Sequence, residues 1–393
     1  MFPIIKDCGQ VLDEYLVKNV KEGKNDFEFR DLMARYTTNI ISSVAFGIDN
    51  DCINDPDHIF RQMGKKIFET NFKNSIMDLF AVFIPSVFKY IKVKSVEPEI
   101  EEFIFSIVNQ TLEHREKNNY TRNDFMQLML QLKNQGYVSA DKGENQDDEA
   151  TKSVDVKKLT VNEIAAQTFI FFIAGKTLKC VNLVTTEKFF FILGFETSSS
   201  TMFYCLYELA KNPEIQRKVQ DEIDRVNKTV GSEGITYESV HELKYLESCI
   251  DETLRKYPIV PVLMREATND YKIANSDLMI PKGTSIFIPV LGHHRDPEIY
   301  ESPMEFKPER FQNSSTGGGN SNGLFYLPFG DGPRNCIGMR MGKVTSKVGL
   351  AVVLLRFNFE FTDKSLANKE IKFHPNQFIL TPLEVPNFRI TLR

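Results

Sequence analysis

This chain of 393 residues contains no tryptophan, so no motif built on an indole can operate in it. Its six cysteines (Cys8, Cys52, Cys180, Cys205, Cys249 and Cys336) are scattered. They show neither the pairing of a disulfide framework nor the spacing of a zinc site, which suits a reducing compartment. Basic charge is in short supply: 48 Lys and Arg stand against 53 Asp and Glu, a net charge of −5. That balance removes the electrostatic reason to expect nucleic acid. No run approaches the roughly 18 consecutive apolar residues of a membrane span, and no signal-peptide pattern opens the chain. The remaining composition, 42% hydrophobic and 26% charged, is that of an ordinary globular protein able to bury a large core.

What is present is concentrated near the carboxyl end. Residues 329–338 read Phe-Gly-Asp-Gly-Pro-Arg-Asn-Cys-Ile-Gly. A thiolate at Cys336, in a tight glycine-rich turn opening onto a helix, is suited to axial ligation of a haem iron. Gly330 and Gly332 permit backbone angles that a side chain forbids, letting the turn lie flat against a porphyrin. Arg334 is a permanent cation suited to a propionate. Cys336 stands where a helix begins, so backbone N–H groups are expected to favour its thiolate. Gly338 leaves the helix bare where it would pass under a ring. A chance match of six fixed residues, at background frequencies of about 5–7% each, is on the order of one in a hundred thousand. The rival reading, a buried structural cysteine in a glycine-rich loop, is correspondingly weak.

With Phe329 and the preceding Pro328, this segment resembles the cysteine-ligand loop of the cytochrome P-450 superfamily. Two further motifs follow the family's order: Glu252-Thr253-Leu254-Arg255 matches its Glu-x-x-Arg, and Pro308-Glu309-Arg310-Phe311 its Pro-Glu-Arg-Phe. Glu-x-x-Arg alone is weak, since any helix surface can carry an (i, i+3) ion pair. The likeness covers nearly the whole chain and is greatest to insect microsomal members of detoxification type. It implies one catalytic domain over residues 1–393 that lacks its N-terminal part, because the family's Trp-x-x-x-Arg helix has no counterpart here.

Helical apolar spacing runs over residues 4–45, 58–91, 97–119 and 123–135, and Pro213 opens a helix after Asn212. Another helix ends before Pro258. Short β-like runs follow at 262–265, 271–273 and 285–290. Residues 140–158 and 312–323 read as exposed loops. The expected fold is mainly α with small segregated β-sheets, an α+β arrangement in which helices precede strands. By resemblance residues 68–90 form a pocket roof; spacing alone reads them as ordinary helix packing.

The family's distal helix carries Ala-Gly-x-(Asp/Glu)-Thr. Here Ala174-Gly175 and Phe195-Glu196-Thr197 are separated by residues 176–194, which are 19 residues with no counterpart. Continued as helix they would displace Thr197 by about 28 Å and rotate it by roughly 100°. They must therefore bulge out, although Phe189, Phe190, Phe191, Ile192 and Leu193 suit no solvated loop. The expectation is a foreign insert. Gly175-Lys176 can be encoded by a splice-donor sequence and 189–194 by a T-rich acceptor, which suggests a translated intron. A lineage-specific loop is the rival.

The resemblance assigns roles residue by residue. Cys336 is the iron ligand of haem b, with Phe329, Gly330, Gly338, Arg334 and Arg265 around the cofactor. Arg265 reads equally as a strand-end surface arginine. Thr197 and Glu196 form the catalytic proton relay, against the alternative that Thr197 is a solvent-facing helix residue in a Ser/Thr-rich run. Glu252, Arg255 and Arg310 form a structural ion-pair network bracing the cysteine loop. His293 and His294 read as loop histidines, and 379–382 as a turn closing the pocket. The implied activity is haem-dependent insertion of one atom of O2 into an apolar small molecule. Electrons would come from NADPH through a cytochrome reductase, at the cytosolic face of the endoplasmic reticulum membrane. Two alternatives stay open: a haem-thiolate isomerase or dehydratase, and an inactive mis-spliced product that does not bind haem.

Overall fold

The helices form where apolar residues recur at helical spacing, and several stop where glycine or proline breaks the pattern, as at Gly23, Gly47, Gly231 and Pro258. A computed structural model describes residues 1–68, 98–137, 158–173, 194–231, 234–312, 325–375 and 377–393. The expected roof at 68–90, the loop at 140–158 and the insert at 176–194 lie almost wholly outside the described residues, as does most of the loop at 312–323.

Residue contacts divide the chain into two compact units, Met1–Cys8 with Arg35–Phe195, and Gly9–Ala34 with Glu196–Arg393. The expected helix over 4–45 is two helices, α1 (Phe2–Lys21) and α2 (Phe29–Phe46). Gly23, at φ +84°, turns the chain between them, and the two-residue strand β1 (Asp26–Phe27) follows. No periodicity announces β1, because it exists only through pairing with residues Phe388 and Arg389.

The first unit continues with α3 (Ile59–Phe68), α4 (Pro98–Asn118), α5 (Phe125–Asn134) and α6 (Val161–Ile173). Its best-defined polar element is a buried pair: Arg115 Nη1 and Nη2 reach Asp124 Oδ1 and Oδ2 at 2.8 and 2.6 Å. Asp124 also caps α5 by accepting from the Gln127 N–H. Gly47 sits at φ +70°, and a Cβ there would overlap the Arg115 guanidinium, so only glycine lets the backbone pass.

The second unit holds α7 (Gly194–Lys211), α8 (Pro213–Val230), α9 (Tyr237–Glu242) and α10 (Lys244–Lys256). Then come β2 (Leu263–Glu266), β3 (Tyr271–Lys272), β4 (Met279–Ile280), β5 (Ser285–Ile288) and α11 (Val290–His294). The long α12 (Met339–Arg356) runs into β6 (Phe357–Phe361), and β7 (Phe388–Leu392) ends the chain. Pro213 stands in the first turn of α8, where its missing N–H costs nothing.

The sheets are small, separate and antiparallel: β1-β7-β6, β2-β5 and β3-β4. Phe357, Phe359 and Phe361 alternate inward on β6 and, with Phe388 and Phe29, build an aromatic core. Gln216 and Gln220 on α8 donate to the carbonyls of Phe359 and Phe357, tying that helix to the sheet. The mainly α fold with small segregated sheets is thus what the residues form.

Candidate functional site

The cysteine loop is set by two positive-φ glycines, Gly330 at +70° and Gly332 at +76°. Between them the chain reverses into a short 3-10 turn, Gly332–Arg334, opened by Asp331 accepting from the Gly332 N–H at 2.7 Å. The reversal closes when the Cys336 N–H donates to the Phe329 carbonyl at 2.8 Å. Gly338 stands at the N-cap of α12, and a Cβ on it would lie 4.0 Å from the Cys336 Sγ. Arg334 ends the 3-10 turn on the exposed side. Phe329 is half-buried, with the Lys343 Nζ 5.9 Å from its ring centre.

The thiol itself departs from expectation. Burial raises the Cys336 pKa above its ordinary value, and the Gly338 N–H offsets this only in part. The cysteine lies three positions before Met339, the first residue of α12, so the helix end does not prevail over desolvation. A metal ion bound at the sulfur would reverse this balance, because its charge dominates its ligand's protonation.

Haem fits this site. Among the described residues no cluster of three His, Cys, Asp or Glu could cage an ion. A single sulfur therefore suits a metal that brings most of its own ligands. Beside the sulfur, Ile337 is 73% exposed, an apolar surface that a flat aromatic ring would cover.

Arg265 on β2 comes to this loop. Its Nη2 donates to the Asp331 carbonyl at 3.4 Å, and a Cβ on Gly330 would lie 3.7 Å from the same nitrogen. On α7, Glu196 is buried and takes an ion pair from Arg30 at 2.9 Å, a partner that no motif announced. Thr197 is half-buried, and its carbonyl accepts from Thr201 Oγ1. A Cβ on Gly342 would meet Ser198 Oγ at 3.5 Å, so α12 passes close to the helix that carries Thr197.

Glu252 and Arg255, both wholly buried on α10, form a two-point pair: Nε to Oε2 at 2.7 Å and Nη2 to Oε1 at 2.9 Å. Arg255 spends its other donors on the carbonyls of His294 and Pro303, each at 2.8 Å. Glu252 also accepts from the Lys307 N–H at 2.9 Å, and Arg310 Nε lies 3.4 Å from its Oε1. All three charged residues of the expected network therefore meet around one carboxylate.

His294 needs a correction. Neither it nor His293 is a loop histidine: both lie in α11, which His294 ends with no exposed surface. Its Nδ1 lies 3.1 Å from the Arg255 carbonyl, and its Nε2 accepts from the Leu327 N–H at 2.9 Å. No sequence signal could have found it, since both partners are backbone groups.

The cytochrome P450 family model matches the chain over residues 1–181 and 176–385. "Probable cytochrome P450 6a14" of Drosophila melanogaster is 37% identical over 385 residues, covering 97% of this chain and 70% of that protein. Cytochrome P450 6a2 of the same fly is 36% identical over 384 residues, covering 97% and 69%. Cytochrome P450 6A1 of Musca domestica is 36% identical over 385 residues, covering 97% and 68%.

Proposed function

This chain belongs to the cytochrome P450 family and is a haem b monooxygenase with an axial cysteine thiolate, and from that premise we propose that Cys336 is the cysteine. The substrate is an apolar small molecule of xenobiotic, steroid-like or fatty type. NADPH supplies the electrons through a flavoprotein reductase. The observation that carries the reading is the Cys336 turn: one sulfur, flanked by glycines and an exposed isoleucine, with Arg265 at its back.

When bound, thiolate-ligated haem activates dioxygen and inserts one of its atoms into the substrate. The chain's own residues do the rest. Gly330, Gly332 and Gly338 would let the loop backbone approach a bound haem closely, and Phe329 would help hold it. Arg265 and Arg334 offer cations to the propionates. Glu252, Arg255 and Arg310 fix the segments that lead into the cysteine loop. The Thr197 hydroxyl would hold a proton on the distal side of the site, and Glu196, its neighbour on α7, would resupply it. Because Arg30 already holds the Glu196 carboxylate, that transfer requires the ion pair to loosen.

Residues 176–194 bear on the second reading, a mis-spliced product. The family model matches as two segments that meet at 176–181, where these residues begin. That meeting point supports the insert as foreign to the family pattern, and a spliced cognate transcript retaining codons 176–194 would exclude an intron. Membrane association at the endoplasmic reticulum rests on the family. Among the described residues no helix is long and apolar enough to cross a membrane.

Reduced-CO difference spectroscopy on the protein expressed with hemin tests the central reading, and a thiolate-type Soret band is expected. Turnover with NADPH, reductase and isotopically labelled dioxygen should place one labelled oxygen in the product. Absence of the thiolate-type band from a correctly spliced chain would overturn the assignment of Cys336. Product formation from a peroxide, with neither dioxygen nor reductase, would favour the isomerase or dehydratase class.

A further inference from the structure

We propose that His294 is a positioning residue of the cysteine loop, a neutral ring that locks the buried end of α10 to the strand of chain entering that loop. The bonds run in both directions. The Arg255 Nη1 donates to the His294 carbonyl at 2.8 Å, while the His294 Nδ1, 3.1 Å from the Arg255 carbonyl, returns a hydrogen bond. On its other side the ring accepts at Nε2 from the Leu327 N–H at 2.9 Å. The Leu327 carbonyl then accepts from the Gly330 N–H at 3.1 Å, and the Phe329 carbonyl from the Cys336 N–H at 2.8 Å.

One imidazole thus spans the gap between the Glu252–Arg255 pair and the turn that presents the sulfur. The neighbouring Tyr326 stacks on the ring at 5.4 Å and bonds Asp251 of α10 through its hydroxyl, so two consecutive residues are fastened, one to α10 and one to His294. Only one form of the ring satisfies both partners: Nδ1 must carry the proton and Nε2 must be bare. Burial and the nearby Arg255 charge pull its pKa down to about 4, which keeps it in that neutral form.

The inference rests on the haem reading, and the test separates the two. Haem transfer from the loaded full-length protein to apomyoglobin, and the reduced-CO spectrum, are measured for the wild type, His294→Phe and His294→Gln. Phenylalanine keeps the ring and its stacking but leaves the Leu327 N–H and the Arg255 carbonyl unpaired. It should speed haem loss by about tenfold and shift reduced-CO intensity out of the thiolate-type band. Glutamine can again accept from Leu327 and should recover most of both. A wild type without the thiolate-type band fails the haem reading. A wild type with it and an unchanged His294→Phe overturns only the role of His294, as does a glutamine no better than phenylalanine. If both variants fold poorly, NMR of isotope-labelled histidine in the wild type still decides. A signal for a buried Nδ1–H tautomer supports the role, and an imidazolium or Nε2–H form overturns it.

Discussion

Among the described residues, an arginine–carboxylate pair sealed from solvent stands in each compact unit, and the two are built for different ends. Arg115 and Asp124, with side chains 1% and 0% exposed, close on themselves. Their spare valences go to the cap of α5 and the Tyr120 ring. Glu252 and Arg255 are equally buried, yet they radiate outward to the backbone of His294, Pro303 and Lys307 and to Arg310. Buried ion pairs give little net stability over an apolar replacement, because desolvation offsets their attraction. What distinguishes these two is therefore what each one positions. The first holds a local corner together, and the second joins segments that lead to a cysteine 81 residues further along the sequence than Arg255 (336 − 255 = 81).

Breaking the second pair should have the larger consequence. Glu252→Ala leaves the Arg255 charge and the Lys307 N–H without their carboxylate, at a cost of about 3–5 kcal/mol. The expected outcome is loss of haem incorporation, read as a missing thiolate-type band in the reduced-CO spectrum. Arg115→Ala leaves the buried Asp124 with only the Gln127 N–H and the more distant Arg122, 3.8 Å away, and costs about 3 kcal/mol. Thermal unfolding should move down accordingly, while the fraction that stays folded keeps the same type of band. A matching loss of the band would erase the contrast between the two pairs.

Acid sharpens the same comparison. His294 has a folded pKa of about 4, below the ordinary histidine value near 6.5. Between those values the unfolded chain binds a proton that the native ring refuses. Its contribution is therefore complete above about pH 6.5 and declines as pH falls toward 4, by about 3 kcal/mol at most. Denaturant titrations at pH 7 and pH 4.5 should show this decline in the wild type and much less of it in His294→Gln. The smallest effect is expected at the surface. Lys66 and Glu99 pair at 2.5 Å but are well exposed. Lys66→Ala should change stability by no more than about 0.5 kcal/mol, with no change in the spectrum.

Much of the site was legible because its requirements are local. Gly330 and Gly332 are dictated by positive φ, and the (i, i+3) spacing puts Glu252 and Arg255 on one helical face. The strands β2 and β5 followed from apolar runs, and Pro213 marked the start of α8. β1 was not legible, because two residues carry no period and gain their conformation only from pairing with β7. His294 and the Arg115–Asp124 pair were missed for a related reason. Carbonyls, N–H groups and distant side chains leave no pattern at a fixed spacing.

The depressed basicity of His294 and the raised pKa of the Cys336 thiol lay equally out of reach, since burial sets both. Sequence alone determined the cysteine turn, the helix that carries the buried glutamate and arginine, and through them the family and its cofactor. Tertiary structure alone decided that a histidine bridges helix to turn, that Arg30 engages Glu196, and that desolvation outweighs a helix end at the sulfur. Conformational preference resides in each residue and its near neighbours. Burial and backbone partnership arise only when remote segments exclude water from the same place.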